Sequence, residues 1–173
     1  MKIYLGADHG GFAIKKTIFE WLKEKEYMVN DVGAEKLQVD DDFVDYGLDV
    51  AEMVVSEPGS KGILFCRNGF GMSIVANKVP GIRCGLGFDV EATKKGRSDD
   101  DINCLAIPAD YLDEGKVKGI ILAFLETEFS SEEKYKRRLY KLELLTEQSG
   151  GCCGGGCGGD EGGCCGGGCG HEH

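Results

Sequence analysis

The stretch "KGILFCRNGFGMSIVANKV", residues 61–79, decides the fold of this chain. An apolar run ends at Cys66, a glycine-rich turn follows, and residues 71–79 have the spacing of an amphipathic helix. A strand that passes through a tight turn into a helix is the repeating unit of a parallel α/β sheet. A structural cysteine would serve equally well inside the strand, so its place at the mouth of the turn indicates chemistry.

The same alternation of strand and helix patterns runs through residues 1–149. Apolar strand patterns also occupy 2–7, 27–33, 82–87 and 102–109, and helical patterns occupy 12–25, 47–56, 89–97, 113–127 and 130–148. Strands that alternate with helices pair in parallel through right-handed crossovers, and continuous apolar strands indicate a sheet covered on both faces. We therefore predict an α/β fold: a doubly wound, Rossmann-like, five-stranded parallel sheet in three αβα layers, followed by a C-terminal helix.

The chain has two parts of different composition. Residues 1–149 hold all of the leucine, isoleucine, valine and aromatic residues, and we predict that they form a single domain. Residues 150–173 are almost entirely glycine and cysteine. Such a segment has nothing to bury, which predicts a disordered, low-complexity tail.

The cysteines and histidines of the tail allow a second interpretation. The pattern Cys-Cys-x-x-x-Cys occurs twice, and two histidines follow it. Thiolates and imidazoles on a flexible chain can bind a soft or borderline metal such as zinc or copper(I), although the spacing is not that of a standard zinc site. Both interpretations stay open. The candidate ligands are Cys152, Cys153, Cys157, Cys164, Cys165, Cys169, His171 and His173.

Charge and hydropathy restrict the partners of this protein. The net charge of −10 argues against nucleic acid or an anionic membrane surface as the main partner. No apolar run approaches the length of a membrane span, and the first residues have no signal-peptide pattern. We expect a cytoplasmic protein with a small-molecule partner, in which cysteines are thiols or metal ligands rather than disulfides.

Polar side chains lie where the predicted strands end, which is where doubly wound sheets bind their ligands. Asp8 and His9 follow the first strand, and Cys66 follows the third. A cation and a helix N-terminus beside a cysteine favour its thiolate form, which suits proton abstraction. The backbone amides of the turn could hold an oxygen that gains negative charge. The alternatives are a solvated histidine at a helix start and a cysteine that only fills space, as we expect for Cys84 and Cys104 inside strands.

The last predicted helix carries a run of cations. Lys134 and Arg138 are four residues apart and share one face of that helix. Two cations on one face could bind a phosphate if the face turned inward. The commoner meaning of such a run is a solvated charged surface.

Together these segments resemble the type B ribose-5-phosphate isomerase family, which also contains the galactose-6-phosphate isomerase subunits. The resemblance covers residues 1–142 and is carried by "GADHGGFAIKK" (6–16), "VDY" (44–46), "GILFCRNGFGMSIVANKVPGIR" (62–83), "NCLAIPA" (103–109) and, more weakly, "TEFSSEEKYKRR" (127–138). It implies that a sugar phosphate, with ribose 5-phosphate first among the candidates, is converted between aldose and ketose through an enediolate without a cofactor or a metal in the domain. It also implies a homodimer or homotetramer whose sites are shared between subunits.

The resemblance implies roles for individual residues. Cys66 would take the proton from the carbon beside the carbonyl, and Asn68 would stand in for a threonine of the family. Asp99 would occupy the catalytic position of a histidine that opens the sugar ring. Asp8 would contact the sugar hydroxyls, and His9 would contact the phosphate. The remaining substrate-binding residues would be Arg67, Gly69, Phe70, Gly71, Asn103, Lys134 and Arg138.

The chain departs from the family pattern at charged positions. An aspartate at 99 is ionised at neutral pH and can act as a base more readily than as an acid. Asp110 stands where relatives have a phosphate-binding arginine, and we expect an acid there to repel phosphate. Lys134 also replaces an arginine. The prediction is an active sugar-phosphate isomerase, and the alternative is a sugar-phosphate-binding or regulatory protein that has lost turnover and carries a metal-binding tail.

Overall fold

The structure is a computed structural model that describes residues 1–34 and 36–149. The tail residues predicted as metal ligands, from Cys152 to His173, lie outside these ranges. The strands are β1 (Lys2–Ala7), β2 (Met28–Asp31), β3 (Lys61–Cys66), β4 (Cys84–Leu86) and β5 (Cys104–Pro108). The helices are α1 (Phe12–Glu24), α2 (Phe43–Ser56), α3 (Phe70–Ala76), α4 (Val90–Asp100), α5 (Glu114–Glu126) and α6 (Glu133–Ser149).

All five strands pair in parallel, in the order β2-β1-β3-β5-β4. The chain leaves β1 towards one edge of the sheet to form β2, and it returns on the other side of β1 to form β3. The carboxyl ends of β1 and β3 therefore border the switch point, where doubly wound sheets open a crevice for a ligand. The predicted fold class is confirmed.

Apolar side chains cover both faces of the sheet, which explains why its strands lack an alternating pattern. In β1, Ile3 and Leu5 pack towards α1 and α5, whereas Tyr4 packs towards α2 and α3, and all three side chains are fully buried. Cys104 is buried in the cluster that contains Tyr4, and Cys84 packs against it. Burial raises the pKa of Cys84 to about 12 and also raises the pKa of Cys104, so both thiols stay protonated.

Aspartate caps set the start of three helices. The Asp42 carboxylate accepts a hydrogen bond of 3.0 Å from the Val44 N–H, so α2 begins at Phe43 rather than at residue 47 as its apolar pattern predicts. Asp89 and Asp113 cap α4 and α5 in the same way. Within the described residues, no helix combines the length and the apolar content that a membrane crossing requires.

Candidate active site

Cys66 ends β3, and the following turn wraps around its sulfur. The Gly69 N–H points at Cys66 Sγ with a distance of 3.1 Å between nitrogen and sulfur. Cys66 is buried, with 5% of the residue exposed, and it belongs to the same core cluster as Tyr4. Gly69 has φ of +78°, and a Cβ there would lie 2.4 Å from a methyl group of Leu86, so only glycine fits this turn. Asn68 Oδ1 accepts a hydrogen bond of 3.1 Å from the Phe70 N–H, which leaves its amide NH2 group available.

The loop after β1 places a second polar group beside this turn. Asp8 is buried, and its carboxylate accepts a hydrogen bond of 3.0 Å from the Gly11 N–H. Burial raises the pKa of Asp8, and the hydrogen bond from Gly11 opposes that rise. His9 is partly exposed, and the distance from its Nδ1 to Asp41 Oδ1 is 2.6 Å, so Nε2 is the ring nitrogen that stays free for a ligand.

Asp41 is a residue that the sequence did not reveal. Its side chain is only 4% exposed, and the same oxygen accepts the backbone N–H of His9 at 3.1 Å. Burial raises the pKa of Tyr46, from the "VDY" motif, and the Asp41 carboxylate adds to that rise. The acidic run at residues 40–42 was the only signal in the sequence, and it could not distinguish this buried carboxylate from the helix cap Asp42 beside it.

Arg67 and Asp110 form an ion pair across the ends of β3 and β5. Arg67 Nε lies 2.9 Å from Asp110 Oδ2, and the Asp110 N–H donates to the Arg67 carbonyl oxygen at 3.0 Å. The carboxylate raises the pKa of Arg67, which keeps the guanidinium charged. The prediction that Asp110 repels phosphate therefore did not take into account Arg67, the cation with which this acid is paired.

The other predicted site residues form a separate cluster at the amino ends of the strands. Asp99 accepts a hydrogen bond of 2.6 Å from the Ser98 hydroxyl, and this bond, with a smaller contribution from Tyr135, lowers the pKa of Asp99. Lys134 and Arg138 lie over the same Tyr135 ring, 4.4 and 5.5 Å from its centre, and both are exposed. One chain therefore does not bring these three residues to the sulfur of the β3 turn.

Asn103 also lies far from Cys66 within one chain. Its amide bridges the backbone, because Oδ1 accepts from the Arg83 N–H at 2.8 Å and Nδ2 donates to the Gly81 carbonyl at 2.8 Å. Cys66 pairs with Pro108, and Asn103 stands five residues before that proline, a separation of about 16 Å along a strand. In this chain Asn103 anchors the loop before β4.

Among the described residues, cavities of about 360, 450 and 440 Å³ are lined by residues from the amino ends of the strands. Cys66 lines none of them. Asp8, His9 and Cys66 border the crevice at the carboxyl ends of β1 and β3, which we call the Cys66 groove. Beside it, α2 and α3 expose a set of large apolar side chains: Phe43, Val44, Leu48, Phe70 and Ile74.

This geometry agrees with comparisons to known proteins. The sequence model described as Ribose/Galactose Isomerase matches residues 3–142. The ribose-5-phosphate isomerase B of Mycobacterium tuberculosis is 34% identical over 147 residues, which cover 85% of this chain and 89% of that protein. The family match begins within β1 and ends within α6.

Solved structures share the fold over the same length. Ribose-5-phosphate isomerase B of Clostridium thermocellum superimposes with a TM-score of 0.82 and 35% identity, covering 86% of this chain and 99% of that one. The Mycoplasma genitalium enzyme, solved with bound ribulose 5-phosphate, has a TM-score of 0.81 and 29% identity, covering 85% of this chain and 97% of that one.

Proposed function

Because the chain belongs to the ribose/galactose isomerase family, we propose that it interconverts ribose 5-phosphate and ribulose 5-phosphate, with Cys66 as the catalytic base. Its relatives make it an aldose–ketose isomerase of a sugar phosphate. One observation carries the assignment of the base. A single thiol ends β3 at the switch point, touches the Gly69 N–H, and lies beside the Asp8–His9 loop.

In the proposed reaction the thiolate removes the proton from C2 of the open-chain aldose. The electrons of that C–H bond form the C1–C2 double bond of an enediolate, whose negative charge falls on the C1 oxygen. The proton then returns to C1 while the proton of the 2-hydroxyl moves to the C1 oxygen, which gives the ketose. The Gly69 N–H that contacts Cys66 Sγ would stabilise the thiolate before transfer.

The turn offers donors for the enediolate oxygen. The Gly69 and Phe70 N–H groups are already paired with Cys66 and Asn68. In this proposal the Asn68 NH2 group and the Gly71 N–H therefore hold the developing charge, so that Asn68 performs the role of the family's threonine. Asp8 binds the sugar hydroxyls, and His9, fixed by its contact with Asp41, offers Nε2 to the phosphate.

We further propose that a second copy of the chain completes the site. The apolar side chains of α2 and α3 lie next to the Cys66 groove and are exposed in the single chain, as expected for a surface that a partner covers. Asp99, Lys134 and Arg138 lie too far from the sulfur of their own chain to act there. In a homodimer with shared sites they belong to the groove of the other subunit.

Turnover of purified protein on a panel of pentose and hexose phosphates tests this function. Wild-type protein is expected to convert ribose 5-phosphate, and Cys66→Ser is expected to lose between about a hundredfold and ten-thousandfold of kcat, the usual contribution of a positioned base. Cys84→Ser is the matched control, because it alters a thiol outside the groove. Equal activity of Cys66→Ser and wild type would exclude the thiol as the base.

One observation favours a second candidate function. The hydrogen bond from Ser98 lowers the pKa of Asp99, so at neutral pH this side chain cannot protonate the ring oxygen of a cyclic sugar. A protein without a ring-opening acid could bind sugar phosphates without turning them over. Binding of ribose 5-phosphate by calorimetry, with no conversion of any sugar on the panel, would support this sugar-phosphate-binding role.

A further inference from the structure

We propose that Asp110 is a positioning residue that holds Arg67 as an anion-binding group at the mouth of the Cys66 groove. The proposal rests on the proposed function only for the identity of the anion, which is the phosphate of the substrate. It assigns a role to a carboxylate that, by its charge alone, would weaken phosphate binding.

Two contacts tie the turn after β5 to the turn after β3. The Ala109 N–H donates to the Cys66 carbonyl oxygen at 2.9 Å, and the Asp110 N–H donates to the Arg67 carbonyl oxygen at 3.0 Å. These backbone bonds bring the Asp110 carboxylate to the guanidinium, with 2.9 Å between Nε and Oδ2. The backbone bonds thus fix the position of the Asp110 carboxylate. We infer that the carboxylate determines the orientation of the arginine side chain.

The stem of Arg67 crosses the loop after β1. A Cβ added to Gly10 would lie 2.2 Å from Arg67 Cγ, so the glycine provides the space in which this side chain lies. The Asp110 carboxylate, and to a smaller extent the charge of Asp8 on the loop after β1, raise the pKa of Arg67. The arginine therefore lies between the ends of β1, β3 and β5, next to Cys66 in the chain.

The outer nitrogens of Arg67 remain available. Its Nε is bound by Asp110, whereas Nη1 and Nη2 donate no hydrogen bond to any residue within the described ranges. His9 repeats this arrangement, because Asp41 binds its Nδ1 and leaves Nε2 free. Arg67 thus offers outward N–H donors and His9 offers a ring nitrogen, each side chain oriented by one carboxylate, and the charge-assisted bonds that a guanidinium makes to phosphate are the stronger kind.

Removal of the Asp110 charge gives opposite results under the two interpretations. If Asp110 only repels anions, Asp110→Asn removes the repulsion and strengthens phosphate binding. If Asp110 positions Arg67, the same substitution removes the contact that fixes the orientation of the guanidinium and weakens phosphate binding. The sign of the change in phosphate affinity therefore distinguishes the two interpretations. The side chains of Asp110 and Arg67 are both exposed, so substitution of either one should not prevent folding.

The test measures inorganic phosphate binding to the full chain by NMR titration, together with KM and kcat for ribose 5-phosphate. We expect Asp110→Asn to raise the phosphate Kd and the KM about tenfold, and Arg67→Gln to raise them at least as much, while kcat stays within about twofold. Asp110→Glu should recover part of the loss. Glu20→Gln is the matched control, since it removes one carboxylate from an exposed ion pair on α1.

The double variant Arg67→Gln with Asp110→Asn completes the cycle. If Asp110 acts through Arg67, the double variant binds phosphate no more weakly than Arg67→Gln alone. Tighter or unchanged phosphate binding by Asp110→Asn, an additive loss in the double variant, or no phosphate binding by wild-type protein would each overturn the proposal. The titration needs no turnover, so the expected pattern in a protein without activity would reject the proposed function and keep this inference.

Discussion

Two inactive variants of this protein should restore each other's activity when they are combined. The perturbation is a mixture of Cys66→Ser, which lacks the proposed base, with Arg138→Ala, which lacks a cation of α6. Within one chain these positions lie at opposite ends of the sheet: Cys66 ends β3, whereas α6 contacts Asp99 through Tyr135 near the start of β5. Cys66 pairs with Pro108, which follows Asn103 by five strand residues, a separation of about 16 Å along the sheet.

The recovered activity follows from two-fold symmetry. In the proposed dimer each site would take the thiol from one subunit and the cations from the other, so a mixed dimer would have one site with both defects and one site with neither. Random exchange of equal amounts makes half of the dimers mixed. The mixture should therefore reach about a quarter of wild-type activity, although each variant alone falls about a hundredfold or more.

The assay is turnover of ribose 5-phosphate after the two variants are co-refolded, with sedimentation velocity to verify dimers. Cys66→Ser mixed with Cys66→Ala is the negative control, and Lys141→Ala, which removes another exposed cation of α6, should behave as wild type. A mixture that stays inactive, an Arg138→Ala variant with normal kinetics, or a monomeric wild type would refute the shared site.

Three other predictions concern the turn, the buried acid and the tail. Gly69→Ala should cost about 1–3 kcal/mol in the free energy of unfolding measured with urea, because φ of +78° is strained for alanine and its Cβ would meet Leu86; a variant as stable as wild type would contradict this. Burial raises the pKa of Asp8, so the contribution of its ionisation to stability is present at low pH and lost as pH rises through the folded-state pKa. Asp8→Asn should therefore raise Tm at pH 7, while it also raises KM. An unchanged Tm would be evidence against that sign. Truncation after Ser149 should leave kcat and KM unchanged, and slower turnover of the truncated chain would disprove the division into two parts. Any bound metal that a chelator removes should appear by native mass spectrometry only in the full chain.

Much of the candidate site could be predicted because it lies at the ends of strands. Asp8, His9 and Cys66 follow apolar runs directly, and a parallel sheet brings the carboxyl ends of neighbouring strands to one edge. Their proximity follows from the topology. Asp41 could not be predicted in the same way, since a loop residue 32 positions from His9 reaches it only through the folded chain.

The charged departures from the family pattern show the same limit. In the sequence, Arg67 and Asp110 are 43 residues apart, and each appears as an isolated change of charge. The structure pairs them, so one departure accounts for the other. Lys134 and Arg138 share a helix face as the spacing predicts, but that face lies with Asp99 and away from Cys66 of the same chain.

The sequence by itself determined the α/β class, the five parallel strands and the thiol at the third strand end. Strand and helix patterns are local, and residues a few positions apart carry them. Only the tertiary structure decided the strand order, the carboxylate partners of His9 and Arg67, and the separation of Asp99 from Cys66. These depend on contacts between residues distant in the chain, which form when the burial of apolar side chains on both faces of the sheet fixes the packing of the helices.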